Sequence, residues 1–515
     1  MNRLEKFLLL LSLVFALPSY GQLTDGLEYK VELQNTAGSG DNNPLWLNAN
    51  KYGLSSIDTK NGYVRGALIR PLRVDSARRW GIGYGVDMAV PYHFTSHFVV
   101  QQAYVEARWL KGALTVGSKE VPMELKNQEL SSGSQCLGIN ARPVPQIRLS
   151  LPEYWNIPGL KGMLALKGHI AYGMMTDGAW QQSFNTDGSK YQKNVLYHSK
   201  AGYLRIGNEQ KHPLEATLGL EMATTFGGEV YRKGQKYSYK ASFSDFVDAL
   251  IPFDQKDDNS LYTAEGNMVG SLLISVSYKF KTWKLRAYTD HYFDDGSQMY
   301  FLDYDSYGSG ANWDKKEGNR YLLYDLKDGM YGLEVTLPKN RFVSTIVGEY
   351  LYTKYQSGPI YYDHSSEISD HIGGRDDYYN HYEYVGWQHW GQVIGNPLYL
   401  SPVYNKDGSL YIKNNRFVAW HFGISGEPLE RLHYRVLMTW QKGWGTYNLP
   451  YADVQKSYSL LAEASYMMPE RIGKVYTGGW SVKAAIGLDD GEIRGNNTGV
   501  QITIVKTGLL KGGKK

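Results

Sequence analysis

The feature that most constrains this chain is a period-two alternation of apolar and polar side chains that recurs along almost its whole length. In Val269–Phe280, Leu272, Ile274, Val276, Tyr278 and Phe280 fall on one face, and Ser271, Ser275, Ser277 and Lys279 on the other. Arg431–Gln441 sets Leu432, Tyr434, Val436, Met438 and Trp440 against His433, Arg435, Thr439 and Gln441. Leu214–Met222, Tyr458–Tyr466 and Gly81–Met88 repeat the pattern. Successive side chains of a strand point to opposite faces, so this period marks strands with one apolar and one polar side. No segment sustains a helical period, and an all-β chain is expected.

Eighteen segments carry the pattern: 29–34, 63–70, 81–90, 98–109, 112–118, 146–151, 162–172, 195–206, 213–223, 268–280, 282–292, 330–337, 341–352, 415–425, 431–441, 456–467, 480–488 and 498–505. The connections after odd-numbered segments are mostly long: 35–62, 91–97, 119–145, 173–194, 224–267, 293–329, 353–414, 442–455 and 489–497. Those after even-numbered segments are all short: 71–80, 110–111, 152–161, 207–212, 281, 338–340, 426–430 and 468–479. A secreted sandwich or propeller, the other all-β reading, has no reason to gather its long loops at one end. A transmembrane antiparallel β-barrel does, with short periplasmic turns and long extracellular loops. Strands of about 9–11 residues also suffice to cross a bilayer when tilted. The 43 tyrosines and 13 tryptophans suit aromatic girdles at the two interfaces. Apolar faces turned to lipid and polar faces turned to a lumen account for strong stripes in a chain whose mean hydropathy is −0.43.

The N-terminus reads as an address. Arg3 and Lys6 precede an apolar block at 7–17, and Ser19 and Gly21 supply a small-residue cleavage site before Gln22. Residues 1–21 are expected to be a signal peptide and 22–515 a single outer-membrane barrel domain, with its largest loops at 224–267 and 353–414. Beyond that block no apolar run approaches the roughly 18–20 residues of a membrane helix. Lysine and arginine total 55 against 51 aspartates and glutamates, which argues against a nucleic-acid partner. A single cysteine, Cys136, excludes an internal disulfide and any multi-cysteine metal site.

Candidate chemistry concentrates in 353–414. His364, His371, His381 and His389 lie there with Asp363, Asp370, Asp376 and Asp377, but without tight metal-ligand spacing such as HExxH. No metal and no cofactor is expected. There is no GxSxG elbow. A hydrolase on this scaffold would need a serine and a histidine on neighbouring strands. His198-Ser199-Lys200 does not supply the pair, because Ser199 points away from the other two. The chain is therefore expected not to be an enzyme. Carbohydrate sites stack aromatic faces on sugar C–H groups and hydrogen-bond the hydroxyls with amides, carboxylates and guanidinium groups. The stretch 373–399 supplies Tyr378, Tyr379, Tyr382, Tyr384, Trp387 and Trp390 beside Arg375, Asp376, Asp377, Asn380 and Gln388. Of these, Tyr378, Tyr379, Tyr384, Trp387, Trp390, Arg375, Asp376 and Asn380 are the glycan-binding candidates. The same rings would equally serve to pack the loop onto the barrel rim.

Three segments resemble the Wzi-type capsule assembly family of Gram-negative outer membranes. One runs from Leu130-Ser131-Ser132-Gly133-Ser134 through Gly138-Ile139-Asn140-Ala141-Arg142-Pro143-Val144-Pro145-Gln146-Ile147-Arg148. Another is Leu196-Tyr197-His198-Ser199-Lys200, continuing to Tyr203-Leu204-Arg205, and the third is Gly373–Leu398, with its YYNHYEY, GW and GNPL elements. The resemblance implies a monomeric eighteen-stranded barrel that holds exported capsular polysaccharide at the cell surface, without catalysis or cofactor. Its implied partners are that polysaccharide, outer-membrane lipid and, during biogenesis, the barrel-insertion machinery. The chain departs from the family in the short Gln22–Glu28 leader and in the aliphatic end of its last strand. Loops folded into the lumen are expected to leave little open channel. An outer-membrane porin for small solutes or oligosaccharides is the alternative. A TonB-type transporter is excluded, since it would need a larger barrel behind an N-terminal plug domain.

Overall fold

The computed structural model describes residues 24–250, 266–294, 302–303, 310–312, 315, 320–321, 327–361 and 372–510. The proposed signal peptide therefore lies outside the described residues. Eighteen strands form one sheet. The first nine are β1 (Glu28–Ser39), β2 (Lys60–Arg70), β3 (Trp80–Tyr92), β4 (Val99–Trp109), β5 (Gly112–Ser118), β6 (Gln146–Asn156), β7 (Leu164–Met174), β8 (Leu196–Gly207) and β9 (Leu214–Phe226). The second nine are β10 (Asn267–Lys279), β11 (Lys284–Asp294), β12 (Gly329–Thr336), β13 (Thr345–Tyr352), β14 (Phe417–Leu429), β15 (Leu432–Gly445), β16 (Pro450–Met467), β17 (Trp480–Gly491) and β18 (Asn497–Leu509). Each strand pairs antiparallel with its chain neighbour, and β1 also pairs with β18, from Glu28 opposite Leu509 to Ser39 opposite Thr498. The sheet is a closed barrel with no free edge, and each of the eighteen alternating segments lies on one of its strands.

The alternation sorts side chains inside and out, in the reverse sense to a soluble domain. On β9, Leu214, Leu218 and Leu220 are exposed on the outer wall while Thr217 and Glu221 are buried. On β18, Val500, Ile502 and Ile504 face out while Gln501 and Thr503 face in. On β3, Val86 and Met88 face out, and Asp87 is buried within bonding distance of Arg65. Burying one such aliphatic chain is worth about 1.5–3 kcal/mol, so a whole belt of them requires an apolar surrounding. Aromatic pairs mark the edges of the belt. At the short-turn end, Trp80 stacks on Trp109 at 5.9 Å and Phe280 on Trp283 at 4.0 Å. At the long-loop end, Tyr350 meets Trp420 at 4.7 Å. No helix among the described residues is long and apolar enough to cross a membrane.

Two connections at the long-loop end are shorter than the alternation suggests. The turns at 446–449 and 492–496 are tight because β15 to β18 continue beyond their apolar cores into regular hairpins. β18 also runs on to Leu509, past the aliphatic end seen in the sequence, and this extension completes the seam with β1.

Candidate functional site

The lumen is filled by the chain's own loops. Segment 43–57, between β1 and β2, carries a single helical turn at Leu45–Asn48. Trp46 Nε1 donates to Thr439 Oγ1 (3.1 Å) and the Leu45 amide to Asp489 Oδ2 (2.9 Å), so this turn lies against β15 and β17. Segment 119–145, between β5 and β6, crosses to the opposite wall. There three carboxylates receive it. Glu349 on β13 accepts from Ser131 Oγ (2.6 Å) and the Ser132 amide (2.8 Å). Asp290 on β11 accepts from the Gln135 amide (3.0 Å) and pairs with Lys126 Nζ at 3.0 Å. Glu221 on β9 accepts from the Leu137 amide at 3.3 Å. Carboxylates suit this role because each can accept several hydrogen bonds from loop amides that no strand satisfies.

Two of the three segments that carry the resemblance, 130–148 and 373–398, meet in this plug. Trp387 Nε1 donates to the Cys136 carbonyl at 2.9 Å, and Tyr379 Oη donates to the Gln135 carbonyl. Asn396 Nδ2 donates to the Gly133 carbonyl at 2.9 Å. Asn140 joins all three loops, accepting from the Asn50 amide (3.1 Å) and donating to the Val393 carbonyl (3.0 Å). The backbones cross so closely that a Cβ on Gly138 would sit 2.6 Å from the Ile394 carbonyl oxygen, and one on Gly395 would strike the Gln135 carbonyl. Only glycine permits that approach. Gly395→Ala is expected to loosen the 376–400 loop from the 130–142 loop. Hydrogen exchange would show this as faster exchange of the Trp387 and Ile394 amides in a barrel that is otherwise intact.

These contacts place most of the glycan candidates in the interior. Tyr378, Tyr379, Tyr384 and Trp387 are fully or almost fully buried, as is Asn380. Their faces are occupied: Tyr379 stacks on Tyr399 at 3.9 Å, Tyr197 on Trp387 at 5.9 Å, and Tyr292 meets Tyr378 edge-on at 4.8 Å. As arranged, these rings pack on one another in the plug core, the second of the two uses open to them. Tyr379 (φ 68°) and Trp390 (φ 55°) hold left-handed backbone, a strain that such packing sustains. Asp376 is half-buried, its amide bonded to the Gln356 carbonyl at 2.9 Å. Arg375 ends a short strand (Ile372–Arg375), and Trp390 is half-buried at the rim.

Of the histidines and aspartates of 353–414, His364, His371, Asp363 and Asp370 lie outside the described residues. His381, His389 and Asp377 have structural uses. Asp377 accepts from Asn380 Nδ2 (3.1 Å), Asn415 Nδ2 (2.5 Å) and Tyr411 Oη. His389 Nδ1 lies 2.9 Å from the Arg142 carbonyl, and its Nε2 accepts the Thr176 amide at 3.3 Å. Among the described residues no three histidine, cysteine or carboxylate groups gather as a metal site.

Ser199 does point away from His198 and Lys200. His198 and Lys200 lie on the outer wall beneath an amphipathic helix (Phe243–Leu250), whose last carbonyls, Ala249 and Leu250, accept from Lys200 Nζ at 2.8 and 2.6 Å. Ser199 faces inward, where His169 Nε2 on β7 lies 3.2 Å from its Oγ. That is a serine–histidine pair on neighbouring strands, which the sequence did not single out. It lines a cavity of about 240 Å³ with Arg148, Lys167 and Tyr203. No carboxylate bonds the ring's other nitrogen among the described residues, so the orienting third member of a triad is missing.

The outer cap adds half-buried aromatics from two other connections to Tyr382 and Trp390. A three-stranded sheet (Lys190–Lys193, Gly228–Arg232, Gln235–Tyr239) stacks Tyr191 on Tyr231 at 4.6 Å. The Arg232 guanidinium lies 5.0 Å from the Tyr382 ring and 5.1 Å from Tyr237. Tyr382 is 66% exposed. Trp390 adjoins Trp180 at 6.5 Å, with the Arg142 guanidinium 4.3 Å from its ring. Trp180 in turn stacks on Phe184 at 4.8 Å.

One turn of the cap is acid-sensitive by construction. His381 Nδ1 accepts the amides of Glu383 (3.2 Å) and Tyr384 (3.1 Å), which only an unprotonated nitrogen does. Burial, aided by the nearby Lys190 ammonium, pushes its pKa down to about 4. The unfolded turn binds a proton near pH 6.5 while the folded one does not, so stability is lost as pH falls from about 6.5 toward 4. Limited proteolysis at pH 7.5 and pH 4.5 is expected to cut the 381–384 turn faster at the lower pH. His381→Gln is expected to flatten the difference.

No protein-family model matches the sequence, and no curated protein matches it. Among solved structures, the chain is similar to Wzi of Escherichia coli, an outer membrane protein involved in group 1 capsule assembly and described as a carbohydrate-binding β-barrel. The two are 13% identical with a TM-score of 0.51, over 96% of this chain and 91% of that one. OccK3 (OpdO) of Pseudomonas aeruginosa aligns over 95% of this chain and 98% of its own, at 11% identity and a TM-score of 0.45. OprD of Pseudomonas aeruginosa aligns over 95% and 96%, at 9% identity and 0.43. At such identity the likeness to Wzi is one of fold. The chain is a closed eighteen-stranded antiparallel barrel of the outer-membrane kind.

Proposed function

We propose that this protein sits in the outer membrane and binds a surface polysaccharide, capsular where the cell makes a capsule, so as to assemble or retain it at the cell surface without catalysis. The observation that carries the reading is the interlocked plug. A barrel whose lumen is crossed by three hydrogen-bonded loops is built as a platform, and its aromatic and cationic groups are offered on the cap. On this reading Trp390 remains a glycan contact, joined by Tyr382, Trp180 and Arg232. The buried Tyr378, Tyr379, Tyr384 and Trp387 set the shape of that surface, with Asn380 bonding the loop beneath it. Arg375 and Asp376 stand as further candidates at its edge. The fold likeness to a carbohydrate-binding barrel is consistent with this but does not carry it.

Weak single contacts suffice, since many copies acting on one polymer multiply affinity. The test is polymer retention on cells. A deletion strain is expected to shed polysaccharide into the medium, and the wild-type gene to restore attachment. A Tyr382→Ala/Trp390→Ala variant is expected to insert normally but leave most polymer in the medium. Full retention by that variant would remove the site, and full retention by the deletion strain would remove the function.

A further inference from the structure

The outer wall of β13 to β16 differs from the rest of the belt where it reaches the long-loop end. One aromatic from each strand forms a lateral row: Tyr350 pairs with Trp420, Trp420 with Trp440, and Trp440 with Tyr458. All four face outward, because their chain neighbours Ala419, Gln441 and Ser457 are buried on the inner side. Trp420 and Tyr458 are 44% and 51% exposed. The row below it continues as Gly348, Phe422, Met438 and Leu460, an apolar wall.

Directly above the aromatic row, on the same outward face, stand four cations. Lys442 and Lys456 are cross-strand partners. Arg416 and Lys354 stand one step further toward the loops, tied by Arg416 Nε donating to the Lys354 carbonyl at 3.2 Å. None of the four has a carboxylate within ion-pair distance among the described residues. Three lie on rings instead: Lys354 on Trp444 at 4.4 Å, Arg416 on Tyr447 at 3.6 Å and Lys442 on Trp440 at 4.9 Å. Rings position these cations and leave the lysine ammonium groups and the terminal guanidinium N–H groups of Arg416 to meet an anion. The stripe stops at β17, where Asp490 stands beside Tyr458 and Glu492 accepts the Lys456 amide at 2.8 Å.

We propose that this face is a docking site for a phosphorylated glycolipid of the outer leaflet, a phosphate-bearing acylated disaccharide. Four strands span about 15 Å, enough for a disaccharide headgroup. Each level of the wall matches one level of such a lipid. Acyl chains lie on Phe422, Met438 and Leu460, sugar rings lie at the aromatic row, and phosphates meet the lysines and the arginine. Guanidinium and ammonium groups at an interface are the usual recognition chemistry for lipid phosphates. The cations lie at the long-loop end, so the proposal rests on the outer-membrane reading with that end outward.

The test uses the full chain purified in detergent, with diphosphoryl lipid A titrated and bound lipid counted by native mass spectrometry. Lys442→Gln/Lys456→Gln is expected to weaken binding about ten- to thirtyfold, on the scale expected for loss of two interfacial cations. Monophosphoryl lipid A is expected to bind more weakly than the diphosphoryl form, and phosphatidylglycerol to bind wild type and variant alike. Heat-modifiable mobility in electrophoresis certifies that the variant is folded, and Lys442→Glu alone gives a second substitution in the same direction. Equal lipid A affinity in wild type and both folded variants would overturn the proposal, as would indifference to the phosphates. Polysaccharide binding, measured on the same preparations, is expected to be unchanged. Its absence beside intact lipid selectivity would remove the proposed function and leave this site standing.

Discussion

Excising residues 127–141 and bridging the gap with a short glycine–serine linker is expected to turn a nearly silent barrel into a conducting one. An eighteen-stranded barrel encloses a lumen wide enough for an aqueous channel unless something fills it. Here the 127–141 segment is the centre of the filling. It carries the amides that reach Glu221, Asp290 and Glu349 on the far wall, and the carbonyls that receive Trp387, Tyr379 and Asn396. Without it the 376–416 loop loses its floor and the 43–57 segment loses Asn140. In planar bilayers the intact protein is expected to give little ionic current, and the excised protein at least about tenfold more, approaching an open barrel of this strand number. A wild-type protein that conducts as freely as the excised form would show that the plug does not seal.

The second large effect is expected from Lys126→Met. Lys126 and Asp290 are a pair with 0% side-chain exposure on both partners, and Lys126 also lies 5.5 Å from the Tyr288 ring. Removing one member of such a pair leaves a buried charge without its counterion, which costs about 3–5 kcal/mol. The Asp290 carboxylate would then keep the Gln135 amide at 3.0 Å and Ser134 Oγ at 3.5 Å as donors, with the Glu221 carboxyl close by. Urea unfolding in a folded-membrane or detergent system is expected to shift to lower denaturant. Lys126→Met combined with Asp290→Asn removes both charges and is expected to recover most of the loss. A single substitution that leaves the midpoint unmoved would mean the pair does not hold the plug.

The barrel was legible in the sequence because lipid on one side and a polar lumen on the other imprint a period of two on every strand. Each of the eighteen segments overlaps a strand, and Leu273, an apolar residue on the serine side of the Val269–Phe280 segment, is buried on the inner face. Parity alone also placed Ser199 opposite His198 and Lys200. The site was less legible. An aromatic-rich loop has the same composition whether its rings face a sugar or fill a barrel, and Tyr378, Tyr379, Tyr384 and Trp387 do the second. Period-two reasoning has no purchase on a loop without a period. Of the groups that do stand at the cap, Tyr382 belongs to that same loop, while Trp180 and Arg232 come from two other connections. Their proximity depends on a three-stranded sheet that joins Lys190–Lys193 to the hairpin Gly228–Tyr239, which follows it at a distance in sequence. The meeting of 130–148 with 373–398 likewise depends on a crossing at Gly138 and Gly395 that no local pattern announces.

Whether a filled barrel presents a glycan-binding cap is read from the binding of the purified, detergent-folded protein to polysaccharide from the strain that makes it, alongside Tyr382→Ala/Trp390→Ala. Saturable binding to the wild type and its loss in the variant are expected, with the variant's heat-modifiable mobility and plug protection unchanged. No saturable binding by a protein shown to be folded would contradict a glycan-binding cap.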